Sequence, residues 1–352
     1  MIKDIYSLNP YSLIKDEKNL FLLQELSKLS LYHYENSITY KKIIDAFKAP
    51  LKPNKIEDFF ALPVRVFKEF ELKSSSDIVK TLTSSGTTSS QLSKIYLDKQ
   101  TAREQSIALV KIMQDFIGKD RVSMMIIDTK SVMQKKEFSA RAAGIAGMAQ
   151  FARKIEYILD DEMHLQVDKM LEFLEKNKDK KIVIFGFTFM VWKYFFKKLK
   201  EKNITLNMKN AILIHSGGWK KLTDEAVDNE EFKKQIKQQT SISNIHNFYG
   251  MVEQVGSVFV ECEAGHLHTP NFADVIIRDT QTLKSLPYKQ EGLVEVLSII
   301  PKSYAGHILL SEDIGMILGE DDCSCGRKGK YFSIKGRVAQ AQVRGCSDTF
   351  VK

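Results

Sequence analysis

Seven of the eight residues in Thr83-Ser84-Ser85-Gly86-Thr87-Thr88-Ser89-Ser90 carry a hydroxyl, and Lys94 follows. Hydroxyls donate to phosphate oxygens, a glycine lets the chain turn so that amide groups face an anion, and a lysine neutralises charge there. The chemistry served by this composition is the gripping of phosphate. The tract is not a GxxxxGK[ST] loop, because no Gly-Lys pair follows. A flexible Ser/Thr linker is the bland alternative. Against it, the tract lies between a helical and an α/β segment and runs into Tyr96-Leu97 and a helical pattern.

The cysteines offer different chemistry. Glu261-Cys262-Glu263-Ala264-Gly265-His266-Leu267-His268 and Cys323-Ser324-Cys325-Gly326 form two half-sites. A Cys-x-Cys-Gly turn presents two thiolates to one ion, and Cys262 with His268 or His266 completes a tetrahedral Cys₃His set for structural Zn²⁺. Four protein ligands leave no open position, so such a site pins loops rather than catalyses. Three free thiols in loops are the alternative reading. The fourth cysteine stands in Val343-Arg344-Gly345-Cys346-Ser347. A thiolate is a natural nucleophile toward an activated acyl group, and Arg344 would favour that thiolate. An incidental small hydrophobe is the competing reading of Cys346.

These groups need a scaffold. The chain has 352 residues, 43% of them hydrophobic, with a net charge of +8. That length allows one large or two ordinary domains, and the apolar content excludes an intrinsically disordered chain. The longest apolar stretch near mid-chain, Ile182–Val191, is about half of the roughly 20 residues a membrane helix needs. The start, Met1-Ile2-Lys3-Asp4-Ile5-Tyr6, shows no secretory pattern, and all four cysteines follow residue 260, which fits a reducing cytoplasm rather than a disulfide framework. Basic residues are interleaved with acidic ones, as on a solvated helical surface, which argues against a nucleic acid partner.

Residues 1–80 read as helices with loops, Leu20-Phe21-Leu22-Leu23 with Leu26, Leu29 and Leu31 giving an apolar face at helical spacing. Residues 81–250 alternate short apolar runs (Val122–Ile127, Ile182–Phe187, Ala211–His215) with helical patterns (Thr101–Phe116, Ala140–Ala152, Met163–Leu174, Met190–Lys200, Asp224–Gln239). That alternation predicts an α/β fold with a parallel sheet covered on both faces. Residues 251–336 read as a β-rich subdomain, with strands over Ser257–Glu261, Ala273–Arg278, Leu293–Ile299 and His307–Ser311, and 337–352 as a short tail. Phe185, Phe187, Phe189, Trp192, Tyr194 and Phe195 read chiefly as core, with the lining of an acyl pocket as the alternative for some of them. The small-residue helix from Ser139 to Gly144 serves either close packing or a narrow acyl slot.

The hydroxyl tract resembles the phosphate loop of the adenylate-forming enzymes, the superfamily of acyl-CoA synthetases, luciferases and peptide-synthetase adenylation domains. Their loop reads roughly [ST]-[ST]-G-[ST]-T-G-x-P-K; here Ser89 replaces the second Gly and Lys94 lies two residues late. Other landmarks follow in the superfamily's order. His215-Ser216-Gly217-Gly218-Trp219 is similar to its adenine loop, Phe248-Tyr249-Gly250-Met251-Val252-Glu253 to its Y-G-x-T-E box, Ser311-Glu312-Asp313-Ile314-Gly315 to its T-G-D-x-G box and Lys335-Gly336-Arg337 to its hinge box. Val252 and Glu312 depart from those patterns. The resemblance implies that Ser84, Ser85, Gly86, Thr87, Thr88 and Lys94 meet the phosphates of ATP. It implies that Gly217, Gly218, Tyr249 and Gly250 line the adenine, that Glu253 holds Mg²⁺, that Asp313 accepts from the ribose hydroxyls and that Arg337 lies near the ribose. His215, beside the glycine loop, is either a core histidine or a substrate contact.

Within that superfamily the chain resembles the acyl-protein synthetase component of the bacterial fatty-acid reductase that supplies aldehyde for luminescence. The tract Thr83–Thr88, the segment His215–Lys220, the tail Arg344–Ser347 and the mere 15 residues after Arg337 carry that likeness. It implies ATP-dependent activation of a carboxylic acid as an acyl-adenylate, acyl transfer to Cys346, and onward transfer to an acceptor protein, a reductase or a carrier protein. The fold implied is the large domain of an adenylate-forming enzyme without its C-terminal small domain. Two other readings stand beside it: a CoA or carrier-protein ligase of phenylacetate-ligase type, whose relatives also carry C-x-C-G before the hinge box, and a non-catalytic nucleotide- or RNA-binding protein.

Overall fold

The computed structural model describes residues 4–83, 92–134 and 140–338, which fall into two compact units: 116–249, and 4–115 together with 250–338. In the first unit, five parallel strands, Val122–Thr129, Ala152–Leu159, Ile182–Phe187, Ala211–Ser216 and Asn244–Tyr249, lie in the order second, first, third, fourth, fifth. The three apolar runs of the sequence are the three inner strands. Ile182–Phe187 and Ala211–Ser216 are buried almost throughout, because helices cover both faces.

The two strands without an apolar run are absent from the sequence reading for a physical reason. Ala152–Leu159 opens with the exposed Arg153 and Lys154 and continues through three half-exposed positions, and Asn244–Tyr249 is interrupted by asparagines and a histidine. The predicted helix Ala140–Ala152 therefore stops at Ala149, where the strand takes over. The predicted helix Met163–Leu174 instead spans Val167–Lys176, because Met163 has a left-handed φ of 69° and Leu165 bridges to Leu159.

The aromatic residues after Ile182–Phe187 are core. Phe189, Trp192, Phe195 and Phe196 pack with Ile184, Leu213, Phe232 and Ile236. On the small-residue helix Ala140–Ala149, a Cβ added at Gly144 would lie 3.3 Å from the Phe187 ring and 3.4 Å from that of Phe185, so these small residues serve close packing. The same helix is tied to the sheet by Arg141, whose Nε donates to the buried Asp128 Oδ2 at 2.9 Å.

The second unit is built on an antiparallel sheet. Its order is Leu267–His268, Lys330–Arg337, Ile308–Glu320, Gly292–Ser298, Ala273–Arg278, with Leu62–Pro63 parallel to Ile308–Glu320. Helices Lys15–Asn36 and Ile38–Phe47 belong to it. Lys18, buried on the first, donates to Thr269 Oγ1 at 2.7 Å and faces Asp274, which Lys330 contacts at 2.7 Å. Burial acts to raise the Asp274 carboxyl, yet the two ammonium groups outweigh it and hold it below its ordinary value. A hairpin, Ile78–Thr83 with Lys94–Asp98, sets Thr83 opposite Lys94, and helix Lys99–Ile117 follows, its Thr101 amide donating to Asp98 Oδ1 at 2.7 Å.

This unit also buries two imidazoles against each other, tilted by 39°. His33 and His307 have ring centroids 4.7 Å apart. His33 Nε2 donates to the Pro301 carbonyl at 3.0 Å, and its Nδ1 accepts from Ser74 Oγ at 2.8 Å. Burial holds His33 down at about 3, and burial beside His33 holds His307 well below its usual value. The unfolded chain therefore binds protons near pH 6.5 that the fold refuses, so stability is full above that pH and falls as pH drops toward 3. Each histidine is expected to cost about 2 kcal/mol at pH 5. Thermal melts between pH 7.5 and 5 check this: Tm drops steeply on acidification, and His33→Asn flattens the slope.

Candidate functional site

In an open α/β sheet, ligands bind outside the carboxyl ends of the strands. Gly217 and Gly218 follow Ala211–Ser216 at that end of the first unit, and Tyr249 is the last residue of the neighbouring Asn244–Tyr249. Gly217 has a φ of +79°, in the left-handed region where a side chain is strained, and both glycines are exposed. Ser216 Oγ donates to the Phe248 carbonyl at 2.8 Å, joining the two strand ends. A basin of about 650 Å³ in the same unit is lined by Lys119, Arg121, Arg153, Lys154 and Lys181 at the opposite, amino ends of the strands. It is a charged concavity away from the glycine loop.

The remaining predicted residues lie in the second unit. Glu253 sits in the single turn Val252–Gln254, buried. Gln254 anchors that turn, its Nε2 donating to the Gly306 carbonyl at 3.0 Å. Gly256 closes it with a φ of +93°, and a Cβ there would lie 2.8 Å from Gln105 Cα, so only glycine fits. Burial raises the Glu253 carboxyl above its ordinary value; a hydrogen bond from the Ser93 hydroxyl and the charges of Lys68 and Arg337 oppose it. Arg337 and Asp313 are register partners on Lys330–Arg337 and Ile308–Glu320, and Arg337 Nε donates to Asp313 Oδ1 at 3.1 Å. Arg337 is thus common to both carboxylates. Glu312, the departure from the T-G-D-x-G pattern, pairs with Arg65.

Gly250 begins this unit's second segment, and Lys94 is exposed on its hairpin strand, its charge acting on Glu71. Ser84, Ser85, Gly86, Thr87, Thr88 and Cys346 lie outside the described residues. Sequence reasoning missed Ser93 and Lys68. Both are remote in the chain from Glu253, and neither belongs to a recognisable pattern.

The two cysteine half-sites meet. Ligand atoms of Cys262, His268, Cys323 and Cys325 all lie within 4.8 Å of one another. Cys262 Sγ is 3.9 Å from Cys323 Sγ, and Cys325 Sγ is 3.3 Å from His268 Nε2. Tetrahedral Zn²⁺ with Zn–S bonds of about 2.3 Å needs sulfur–sulfur edges of about 3.8 Å. His268, rather than His266, stands in the four-atom cluster, while His266 Nδ1 lies 3.4 Å from Cys323 Sγ and its ring stacks on Tyr331. The chain positions the ligands through two turns, Gly265 N donating to Cys262 O and Gly326 N to Cys323 O, both at 2.9 Å. Pairing of Leu267–His268 with Tyr331 and Phe332 brings the halves together. Burial pushes the Cys262 thiol up to about 12, whereas at Cys325 hydrogen bonds from Arg327 outweigh burial and lower it. Burial also holds His268 down at about 4, a neutral imidazole suited to a metal.

A family model described as acyl-protein synthetase, LuxE, matches residues 1–352. The chain belongs to the LuxE acyl-protein synthetase family. A relative, the long-chain-fatty-acid–luciferin-component ligase of Vibrio harveyi, is 23% identical over 335 residues, 90% of this chain and 83% of its own. Among solved structures, an open conformation of 2-hydroxyisobutyryl-CoA ligase with 2-HIB-AMP and CoA matches with a TM-score of 0.72 at 15% identity, over 94% of this chain and 77% of that one. ATP-bound MatB from Rhodopseudomonas palustris matches with a TM-score of 0.50 at 16% identity, over 75% and 49%. The fold is that of the adenylate-forming ligases. This LuxE-family enzyme is an ATP-using ligase that activates a carboxylic acid as an acyl-adenylate and transfers the acyl group. No helix among the described residues is long and apolar enough to cross a membrane.

Proposed function

We propose that this LuxE-family ligase activates a fatty acid, the substrate class named for the Vibrio harveyi relative, and carries the acyl group as a thioester on Cys346 before passing it to an acceptor protein. An oxygen of the carboxylate attacks the α-phosphorus of ATP, the bond to pyrophosphate breaks, and a mixed anhydride with AMP forms. The Cys346 thiol then loses its proton and attacks the acyl carbon, and AMP leaves with the anhydride oxygen. Phosphoryl transfer needs positioning and charge neutralisation more than covalent help. In this reading Ser84, Ser85, Gly86, Thr87, Thr88 and Lys94 hold the phosphates, Gly217, Gly218, Tyr249 and Gly250 the base, and Asp313 and Arg337 the ribose. The observation that supports it is Arg337, shared by Glu253 and Asp313 in one buried neighbourhood. A cytoplasmic setting suits it, with ATP and reduced thiols at hand.

Glu253 is the residue that would hold Mg²⁺, an oxygen donor for a hard dication, and burial raises its carboxyl above the ordinary value. Mg²⁺, when bound, neutralises phosphate charge. Exchange of pyrophosphate into ATP, measured across a panel of carboxylates, tests the reading. Exchange that peaks with long-chain acids supports it; exchange confined to short or aromatic acids, with release of AMP driven by added CoA, replaces it with a phenylacetate-type ligase.

The cluster of Cys262, His268, Cys323 and Cys325 fits Zn²⁺ in donor type and spacing, as a structural clasp between two β loops. Protein purified without chelator is expected to carry about one equivalent of zinc. Cys262→Ser should lose it and lower Tm by about 5 °C or more. Metal analysis finding under about a tenth of an equivalent would remove zinc from the account.

A further inference from the structure

A cavity of about 100 Å³ adjoins the glycine loop within residues 116–249, lined by Thr188, His215, Gly217, Trp219, Phe232 and Asn247 among others. It exceeds the roughly 10–15 Å³ of such space that admits one water, so a small polar group of a ligand can enter it. Its walls suit a planar base. The His215 ring lies against Phe232 with centroids 4.6 Å apart, and Trp219 stands edge-on to Phe232 at 6.1 Å.

The protonation of His215 follows from its neighbours. Thr188 Oγ1 is 3.1 Å from the Ser216 carbonyl, which only accepts, so the single hydroxyl proton goes there. The same Oγ1 is 2.9 Å from His215 Nδ1 and must accept from it. Nδ1 therefore carries the ring proton, and Nε2 presents a lone pair. His215 is 2% exposed, and its Nε2 is buried with no hydrogen-bond partner among the described residues. Burial, followed by the charges of Lys233 and His246, holds the imidazole down at about 3, so the lone pair persists at neutral pH. A buried acceptor of this kind calls for a donor brought by a ligand.

We propose that His215 is a specificity-determining residue, its Nε2 accepting a hydrogen bond from the C6 amino group of the bound nucleotide and so selecting an aminopurine over purines that lack that donor. This rests on the reading of Gly217, Gly218 and Tyr249 as the base site. Thr188 is its positioning partner, because it dictates which ring nitrogen keeps the lone pair. A site built to pair a donor rejects the analogue without it, since the buried acceptor is then left unmade.

The test compares ATP with purine riboside triphosphate, which lacks only the amino group, in pyrophosphate exchange. Wild type is expected to favour ATP by at least about tenfold in kcat/KM, and His215→Leu to erase most of that ratio. Thr188→Val, which keeps the imidazole but frees its tautomer, should lower the ratio with a smaller effect on total activity. Calorimetric binding of AMP against purine riboside monophosphate repeats the comparison without chemistry. Loss of both nucleotides in parallel, with the ratio unchanged in both variants, would overturn the proposal. Absence of exchange with every acid, while AMP still binds in preference to its deaminated analogue, would instead count against the acyl-adenylate reading and leave the base contact standing.

Discussion

Cys346→Ser is expected to abolish covalent acylation of the protein while pyrophosphate exchange stays within about twofold of wild type. The two readouts separate because they belong to different steps. Exchange reports attack on the α-phosphorus, which needs no thiol; acylation needs a nucleophile of low enough pKa to be ionised near neutral pH. A serine hydroxyl in the same place is neutral near pH 7 and a far weaker nucleophile than a thiolate, so labelling should fall at least about 100-fold. Arg344 stands two residues away in the sequence; a cation beside a thiol would favour the thiolate and would do nothing for an alcohol. Intact-mass analysis after incubation with ATP and a long-chain acid measures the adduct, and neutral hydroxylamine should release it from wild type as a thioester. Full labelling of the serine variant would sink the role of Cys346.

Glu253→Gln should reduce exchange by about 10²–10³-fold, the range for losing one preorganised electrostatic group in a buried site. The amide is the same size as the carboxylate and can still accept from Ser93. The stability change has the opposite sign. Because burial raises the Glu253 pKa, the folded state disfavours the charged form, so this carboxyl contributes stability at low pH that is lost as pH rises through its folded value. Removing the charge is therefore expected to leave Tm unchanged or higher at pH 7.5, the trade of stability for activity often seen at functional sites. A melting curve and an exchange rate on one preparation check both signs. Exchange within about threefold of wild type would remove Glu253 from the phosphate chemistry.

Both predictions concern residues visible in the sequence, yet for different reasons. Cys346 stands out by its R-G-C-S context, its place late in the sequence and the family resemblance, and it lies outside the described residues. Glu253 stood out by its place after Tyr249-Gly250, but its electrostatics did not: Ser93, Lys68 and Arg337 come from three distant points of the chain. The cysteine half-sites lie between these cases. Their ligand types and turns were legible, whereas the choice of His268 over His266 waited on the pairing of Leu267–His268 with Tyr331 and Phe332. His215 was ambiguous because a histidine after an apolar strand has one pattern whether its ring nitrogens are satisfied or not; only Thr188 and the cavity distinguish them.

The sequence by itself determined the parallel α/β body, through apolar runs buried on both faces, and the order of the motifs, because local backbone and side-chain chemistry write those features into consecutive residues. It did not determine the strands Ala152–Leu159 and Asn244–Tyr249, whose pairing comes from neighbours rather than composition. Nor did it determine that Lys18, Asp274 and Lys330 join one buried network, or which carboxylates share Arg337. Those depend on desolvation and on charges brought together from far along the chain, and both exist only once the tertiary structure has closed around them.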